Sequence, residues 1–453
     1  MQDYKEAFRG KKVTVLGLGL LGRGVGDAAF LARCGAEVTV TDKKTEAELA
    51  ESVAKLKEHP GIVFHLGGHV IEDFTKADVV IKAAGVRLDS PEIAAARAAE
   101  VPVMMSTALF AKYAMEAGAT IVGVTGTRGK STVSQMIYHT LQKTIDRHRS
   151  LKEKKIFLGG NVRGVSTLAL LPQVQEGDIA VLELDSWQLQ GFGDAGISPQ
   201  VSVCTNLMPD HQNYYANMDE YFADKANIFR YQREGDHLFA GLSVMERVNA
   251  ARPKAAPLVP PAIPEEWALK IVGGHNRENA AFAVAVLRAL DINDEDIRAG
   301  IESFEAVEGR LQFVREIPVV SDSESLGVKI YNDNNATTPE ATIAALRALD
   351  TGKKNIVLIM GGADKGLDTS YLLYDVAKMC KRVILLAGSG SDKIVPFIAD
   401  YSIYENLEAA VRESVASASG GDIILFSPSF ASFGMFKNEY ERNDRFMNIV
   451  RGL

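Results

Sequence analysis

The sequence predicts an α/β protein of three domains, each built on a mostly parallel sheet covered by helices. Three observations predict it. Short, nearly continuous apolar runs alternate with helical patterns along most of the chain, which is how βαβ units read. Two glycine-rich turns each follow such a run and open a helical stretch. The chain has 453 residues, roughly three times the length of a common single domain.

The apolar runs fall into three blocks. Those at 13–16, 37–40 and 79–81 belong to a first, 1–106; those at 121–124, 180–183 and 201–203 to a second, 107–309; those at 356–359, 383–386 and 423–426 to a third, 310–453. Runs without polar alternation suit strands buried on both faces, as in a parallel sheet. The proline-rich stretch 251–264 reads as a loop inside the second block. The basic segment 142–155, QKTIDRHRSLKEKK, reads as a solvated surface connection.

Composition narrows the function. Lys and Arg number 50 against 58 Asp and Glu, for a net charge of -8, with 47% hydrophobic and 24% charged residues. These values suit a soluble globular protein and argue against nucleic acid or membrane as the main partner. The N-terminus carries no apolar h-region, and no apolar run approaches the ~18 residues of a membrane helix. Cys34, Cys204 and Cys380 form no Cys-x-x-Cys pair. The expectation is a reduced, cytoplasmic protein without disulfides or structural zinc.

Gly17-Leu18-Gly19-Leu20-Leu21-Gly22 follows the first run, and Asp42 ends the next. Such a turn brings backbone N–H groups close to a phosphate at a helix N-terminus, with the acid placed for a ribose hydroxyl. By itself it fits a dinucleotide, a UDP-sugar, or a tight turn with no ligand. Thr125-Gly126-Thr127-Arg128-Gly129-Lys130-Ser131-Thr132 follows the run at 121–124. Val124 stands where the strict phosphate-loop pattern has its first glycine. The chemical parts remain: N–H groups around phosphate oxygens, a lysine charge, and a hydroxyl for Mg²⁺.

At this second loop the chain resembles the Mur ligase family, whose ATP loop reads T-G-T-x-G-K-[ST]. Further segments follow in family order: Leu158-Gly159-Gly160-Asn161, Leu182-Glu183-Leu184-Asp185-Ser186-Trp187-Gln188-Leu189, Thr205-Asn206-Leu207 with Asp210-His211, Tyr221 with Lys225, Gly274-His275-Asn276 with Asn279, Gly361-Gly362-Ala363-Asp364-Lys365-Gly366, and Ser427-Pro428-Ser429-Phe430-Ala431-Ser432-Phe433. The resemblance implies a Rossmann-like N-terminal domain holding UDP at 1–106, a central P-loop ATPase-type domain at 107–309 and a Rossmann-like C-terminal domain for the amino acid at 310–453. It implies an ATP-dependent ligase of cytoplasmic peptidoglycan precursor synthesis. Through an acyl phosphate, the enzyme would join D-glutamate to UDP-N-acetylmuramoyl-L-alanine, acting as a monomer.

The resemblance also implies roles. Gly126, Thr127, Gly129, Lys130, Ser131 and Thr132 would cradle ATP, with Asn279 at adenine, Asp333 at ribose and Arg310 reaching the phosphates. Ser131 and Glu183 would hold one Mg²⁺. His211 and Lys225, the lysine as a carbamate, would hold a second, Mn²⁺ being an alternative metal. Lys130, Glu183, His211, Lys225 and Lys365 are the catalytic candidates. Gly19, Leu20, Leu21, Asp42, Gly85, Asn161 and Ser186 would meet the sugar nucleotide, and Lys365, Ser432 and Phe433 the incoming amino acid.

Three positions and one short segment depart from the family pattern. Asn335 stands for a lysine, Gly309 for a histidine and Glu439 for an aromatic residue, and Lys82-Ala83-Ala84-Gly85 replaces Ser-Pro-Gly. These leave open the addition of L-glutamate or another amino acid. A non-ligating nucleotide-binding subunit is the reading from another class, and the intact Lys130, Glu183, His211 and Lys225 argue against it.

Overall fold

The computed structural model describes residues 4–145, 147, 152–210, 214–318 and 326–453. They form two compact units: Met1–Ala262 with Asn279–Ile301, and Ile263–Glu278 with Glu302–Leu453. Among the described residues the strands make three sheets, two in the first unit and one in the second.

The first sheet has the order β3-β2-β1-β4-β5, from Lys12–Leu16 (β1), Glu37–Asp42 (β2), Val63–Leu66 (β3), Val79–Lys82 (β4) and Val103–Met104 (β5). All its pairings are parallel. Chain order reverses between β1 and β4, which opens a crevice beyond their carboxyl ends, where ligands of such sheets sit. The first glycine turn leaves β1 at that crevice.

The second sheet runs β11-β10-β9-β6-β8-β7, from Thr120–Thr125 (β6), Ile156–Gly160 (β7), Ile179–Glu183 (β8), Val201–Cys204 (β9), His237–Ala240 (β10) and Pro257–Leu258 (β11). It too is parallel throughout. The proline-rich stretch expected as a loop thus supplies the edge strand β11. Proline fits there because an edge strand can spare an N–H. One apolar cluster, including Phe30, Phe110, Leu168 and Phe192, runs through both blocks of this unit. That shared core is why they form a single compact body.

The second unit's sheet runs β12-β13-β17-β14-β15-β16, from Gln312–Ile317 (β12), Val328–Asn332 (β13), Ile356–Gly361 (β14), Cys380–Leu386 (β15), Tyr401–Tyr404 (β16) and Ile423–Phe426 (β17), with β12 antiparallel at the edge. Its central strands alternate between two cores. Ile356, Leu358, Leu385 and Leu425 face one. Val357, Ile359, Ile384 and Phe426 face the other, against the C-terminal helix Glu439–Arg451. The period of two along a fully apolar run is what burial on both faces requires. The Phe426 and Phe446 rings stack there with centroids 4.3 Å apart, and both are fully buried.

Phe446→Ala therefore empties a ring-sized space under the sheet. The expected loss is about 3–5 kcal/mol in the transition of the second unit. Urea unfolding followed by probes placed in that unit checks this, since two units need not share one two-state transition.

Candidate active site

In the first unit the candidate residues gather where β6 and β8 end side by side. The loop after β6 leads directly into the helix Lys130–Thr144, whose cap is Gly129 and whose first turn carries no side-chain cap. Uncapped N–H groups and the helix dipole make that end attractive to an anion. Gly126 and Gly129 have φ of 139° and 86°. A Cβ at Gly126 would strike the Thr205 hydroxyl, and one at Gly129 the Asn279 amide. The loop is therefore closed around its own neighbours and admits no side chain at either point.

Its shape is braced from β9. Asn206 Oδ1 accepts from the Arg128 N–H at 2.9 Å, and Thr205 Oγ1 donates to the Arg128 carbonyl at 2.5 Å. Thr127 Oγ1 donates to Met208 O and accepts from Met208 N.

The electrostatics centre on one oxygen. Lys130 Nζ donates to the carbonyls of Gly126 (2.9 Å) and Thr127 (3.0 Å). Lys225 Nζ donates to the same Gly126 carbonyl at 3.0 Å and lies 4.7 Å from the centroid of the Tyr221 ring. Lys225 ends the helix Met218–Lys225 and is only 1% exposed. Burial, then the nearby Lys130 charge, pushes its amine down to about 7.

Glu183 ends β8 and is buried. Its Oε1 accepts from Asn161 Nδ2 at 3.3 Å, and its carbonyl accepts from the Asn161 N–H at 2.7 Å. Ser186 is buried at the first position of the helix Ser186–Ala195, behind the Asp185–Gln188 capping box. Among the described residues no group of three or more His, Cys, Asp or Glu is placed to hold a metal. The Ser131 hydroxyl and Glu183 carboxylate are hard oxygen donors. Such donors are of the type a hard cation such as Mg²⁺ takes. His211 lies outside the described residues.

At the first glycine turn, Asp42 accepts from the N–H groups of Gly19 (3.1 Å) and Lys44 (2.9 Å), so its carboxylate braces the turn. Leu20 and Gly85 are exposed and Leu21 is half-buried. Lys82, fully buried, donates to the Val86 carbonyl at 3.0 Å and stitches up the 83–86 turn that follows it. Burial lowers its amine to about 8.

In the second unit, Asp333 accepts from the Leu311 N–H (3.0 Å) and the Ser427 hydroxyl (2.9 Å). Lys365 is exposed and donates to the Thr337 hydroxyl at 3.1 Å. Ser432 is buried, Phe433 is 67% exposed, and Arg310 is half-buried. Sequence reasoning missed Arg442. It is 1% exposed and donates to Asn334 Oδ1 (2.8 Å), Asn334 O (2.9 Å) and Phe430 O (3.4 Å), tying two turns together. Burial lowers its guanidinium to about 10. The signal was available, because Arg442 shares a helical stripe with Phe446 and Val450.

Residues 11–105 match the Mur ligase MurD-like, N-terminal domain, 124–255 the Mur ligase middle domain, and 309–430 the Mur ligase, glutamate ligase domain. The chain is 34% identical to UDP-N-acetylmuramoylalanine–D-glutamate ligase of Roseiflexus sp. (strain RS-1), covering 97% of this chain and 98% of that protein. It is 32% identical to the enzyme so named from Borreliella afzelii (strain PKo), covering 96% of each. Among solved structures it is similar to the UDP-N-acetylmuramate-alanine ligase of Thermotoga maritima, with a TM-score of 0.58 at 19% identity over 98% of this chain and 99% of that one. The MurF ligase of the same organism, in complex with ADP, gives 0.58 at 15% identity over 100% and 99%. Those two structures bear on the fold.

The Lys225 amine loses its proton far below the ordinary lysine value of 10.5. The unfolded chain then binds more protons between about pH 7 and 10.5, so the penalty of this lysine is full below 7 and fades as pH rises. Lys225→Met is therefore expected to gain the most stability below pH 7, and the gain should shrink toward pH 10. Thermal unfolding of both proteins across that range checks the sign.

Proposed function

The chain belongs to the Mur ligase family, and from that premise we propose that it adds D-glutamate to UDP-N-acetylmuramoyl-L-alanine at the expense of ATP, forming ADP and phosphate in peptidoglycan precursor synthesis. One observation carries the reading. The chain matches ligases of that name along nearly its whole length, and at the matching loop it sets two lysines on one carbonyl beside an uncapped helix end. We assign it to the cytoplasm as a monomer, with domain boundaries near 106 and 309.

A carboxylate does not condense with an amine in neutral water, so it must first be activated. In the reading proposed, the acceptor carboxylate oxygen attacks the γ-phosphorus of ATP, the bond to ADP breaks, and an acyl phosphate forms. The amine nitrogen of glutamate then attacks the acyl carbon, the carbon–oxygen bond to phosphate breaks, and the amine proton passes to phosphate or water. Such transfers need positioning and charge neutralisation more than a nucleophilic side chain.

The chain's residues divide these tasks. Gly126, Thr127, Gly129 and Thr132 shape the cradle, and Lys130 leaves its two carbonyls to meet the β- and γ-phosphates. Asn279, Asp333 and Arg310 would hold the rest of the nucleotide. Gly19, Leu20, Leu21, Asp42, Gly85, Asn161 and Ser186 would line the sugar-nucleotide site. Lys365, Ser432 and Phe433 would take the incoming amino acid. Mg²⁺, held by Ser131 and Glu183 and at a second position by His211 and carbamylated Lys225, would supply neutralisation of the phosphoryl charge. Burial and the Lys130 charge favour the neutral Lys225 amine, which is the form that adds carbon dioxide and releases a proton.

Phosphate release from ATP with Mg²⁺ and UDP-N-acetylmuramoyl-L-alanine, run separately with D- and L-glutamate, tests this. Release with D-glutamate alone is expected. Release with L-glutamate alone would keep the ligase and reverse the stereochemistry, and release with neither would overturn the proposal. Glu183→Gln is expected to lower kcat by on the order of a hundredfold or more.

A further inference from the structure

The helix Arg23–Arg33 leaves the first glycine turn and closes on the turn that follows β7. Arg23 Nη2 donates to Asn161 Oδ1 at 3.0 Å, and its Nε donates to the Val162 carbonyl at 3.3 Å. Further along the same helix, Asp27 accepts from the Ser166 hydroxyl at 2.7 Å. Between them, Gly26 lies so near Ser166 that a Cβ would strike its side chain. The helix therefore grips both ends of the 161–166 turn.

The contact at Asn161 has a direction. An asparagine amide presents an acceptor at one end and two donors at the other, and the two ends are nearly the same shape. A guanidinium can only donate. Arg23 thus selects the Asn161 oxygen for its own side and turns the Nδ2 group away, where it donates to Glu183 Oε1 at 3.3 Å. With the amide reversed, two donors would face each other at Arg23, and an acceptor would face the Glu183 carboxylate. Both contacts would become repulsive, so Arg23 and Glu183 fix the sense of the row from its two ends.

We propose that Arg23 is a positioning residue for the ligation, fixing the Asn161 amide so that its N–H groups face Glu183 and the acceptor. The role in acceptor binding rests on the functional reading above; the anchoring of the 161–166 turn does not. Arg23 acts here through Asn161, which distinguishes it from a residue that meets the acceptor's diphosphate itself. It ties the first glycine turn to the carboxylate at the end of β8, so acceptor binding depends on both sheets of the unit.

Arg23→Met, Arg23→Lys, Asn161→Ala and the Arg23→Met/Asn161→Ala double variant test it. Arg23→Met is expected to raise KM for UDP-N-acetylmuramoyl-L-alanine about tenfold, the scale of one charge-assisted hydrogen bond, while KM for ATP moves less than about twofold. Arg23→Lys, which keeps one donor, should fall between. In the Asn161→Ala background Arg23→Met should add nothing, as coupled groups do. In the unliganded proteins, amide hydrogen exchange of residues 160–166 should speed up in Arg23→Met. A full effect surviving in the Asn161→Ala background would show direct contact with the acceptor and overturn the proposal. So would unchanged exchange, or an equal rise in both KM values accompanied by a lower Tm. If the unmutated protein fails to turn over this acceptor, the functional reading falls, and the exchange measurement still decides whether Arg23 anchors the turn.

Discussion

Two lysine amines share one carbonyl oxygen in this protein, and the loop around them is arranged to hold that pairing. Lys130 and Lys225 both donate to the Gly126 carbonyl. Two positive charges on one oxygen, one of them fully buried and the other half-buried, are unfavourable unless an anion joins them or one loses its proton. A phosphate loop uses the first remedy and a neutral lysine the second. The same pressure therefore makes Lys130 a group that an anion would stabilise and favours an uncharged, chemically receptive amine at Lys225.

Such a pair persists only where its surroundings hold it in place. β6 delivers the loop and β8 delivers Glu183 beside it, because neighbouring parallel strands end together. β9 is also paired to β6 and brings Thr205 and Asn206, which grip the Arg128 peptide by both its N–H and its carbonyl. The Lys225 Nζ lies against Tyr221, whose hydroxyl is within 3.4 Å of Thr127 Oγ1. Most of these braces are side chains on backbone groups of the loop, and Tyr221 adds one on the Thr127 side chain, so the loop is held by its own protein neighbours. That is preorganisation, which spares binding energy for the transition state.

The sequence made legible whatever is local. Strands showed as apolar runs, and the alternation of two cores along β14, β15 and β17 follows from their unbroken hydrophobicity. The second loop was legible because its glycines, lysine and hydroxyl sit within one turn of each other. What was not legible depends on contacts across the chain. Lys225 looks like any lysine at the end of a helix until Gly126, 99 residues away, is folded onto it. Arg23 meets Asn161 across 138 residues. Asp42 was legible as an acid at the end of β2, but not the bracing it gives: its carboxylate accepts from the Gly19 N–H of the first glycine turn and from the Lys44 N–H beside it.

The departures from the family pattern become more intelligible in the second unit. Gly309 and Asn335 read as two separate losses in the sequence, a histidine and a lysine. In the fold they touch: a Cβ on Gly309 would come within 2.9 Å of Asn335 Nδ2, and the Asn335 N–H donates to the Gly309 carbonyl at 3.0 Å. They are one local solution, a smaller and neutral residue pair, with the asparagine amide occupying room that the glycine leaves. Glu439 has a comparable logic. It opens the C-terminal helix, where a carboxylate complements the helix dipole. It also lies near enough to the buried Arg442 to favour its charge. Arg442 in turn holds Asn334, the neighbour of Asn335. Positions 309, 335 and 439 are thus linked in one chain of contacts, from Gly309 to Asn335, from Asn335 to Asn334, and from Asn334 to the buried Arg442 that Glu439 favours, so a longer side chain at 335 would press on the whole set.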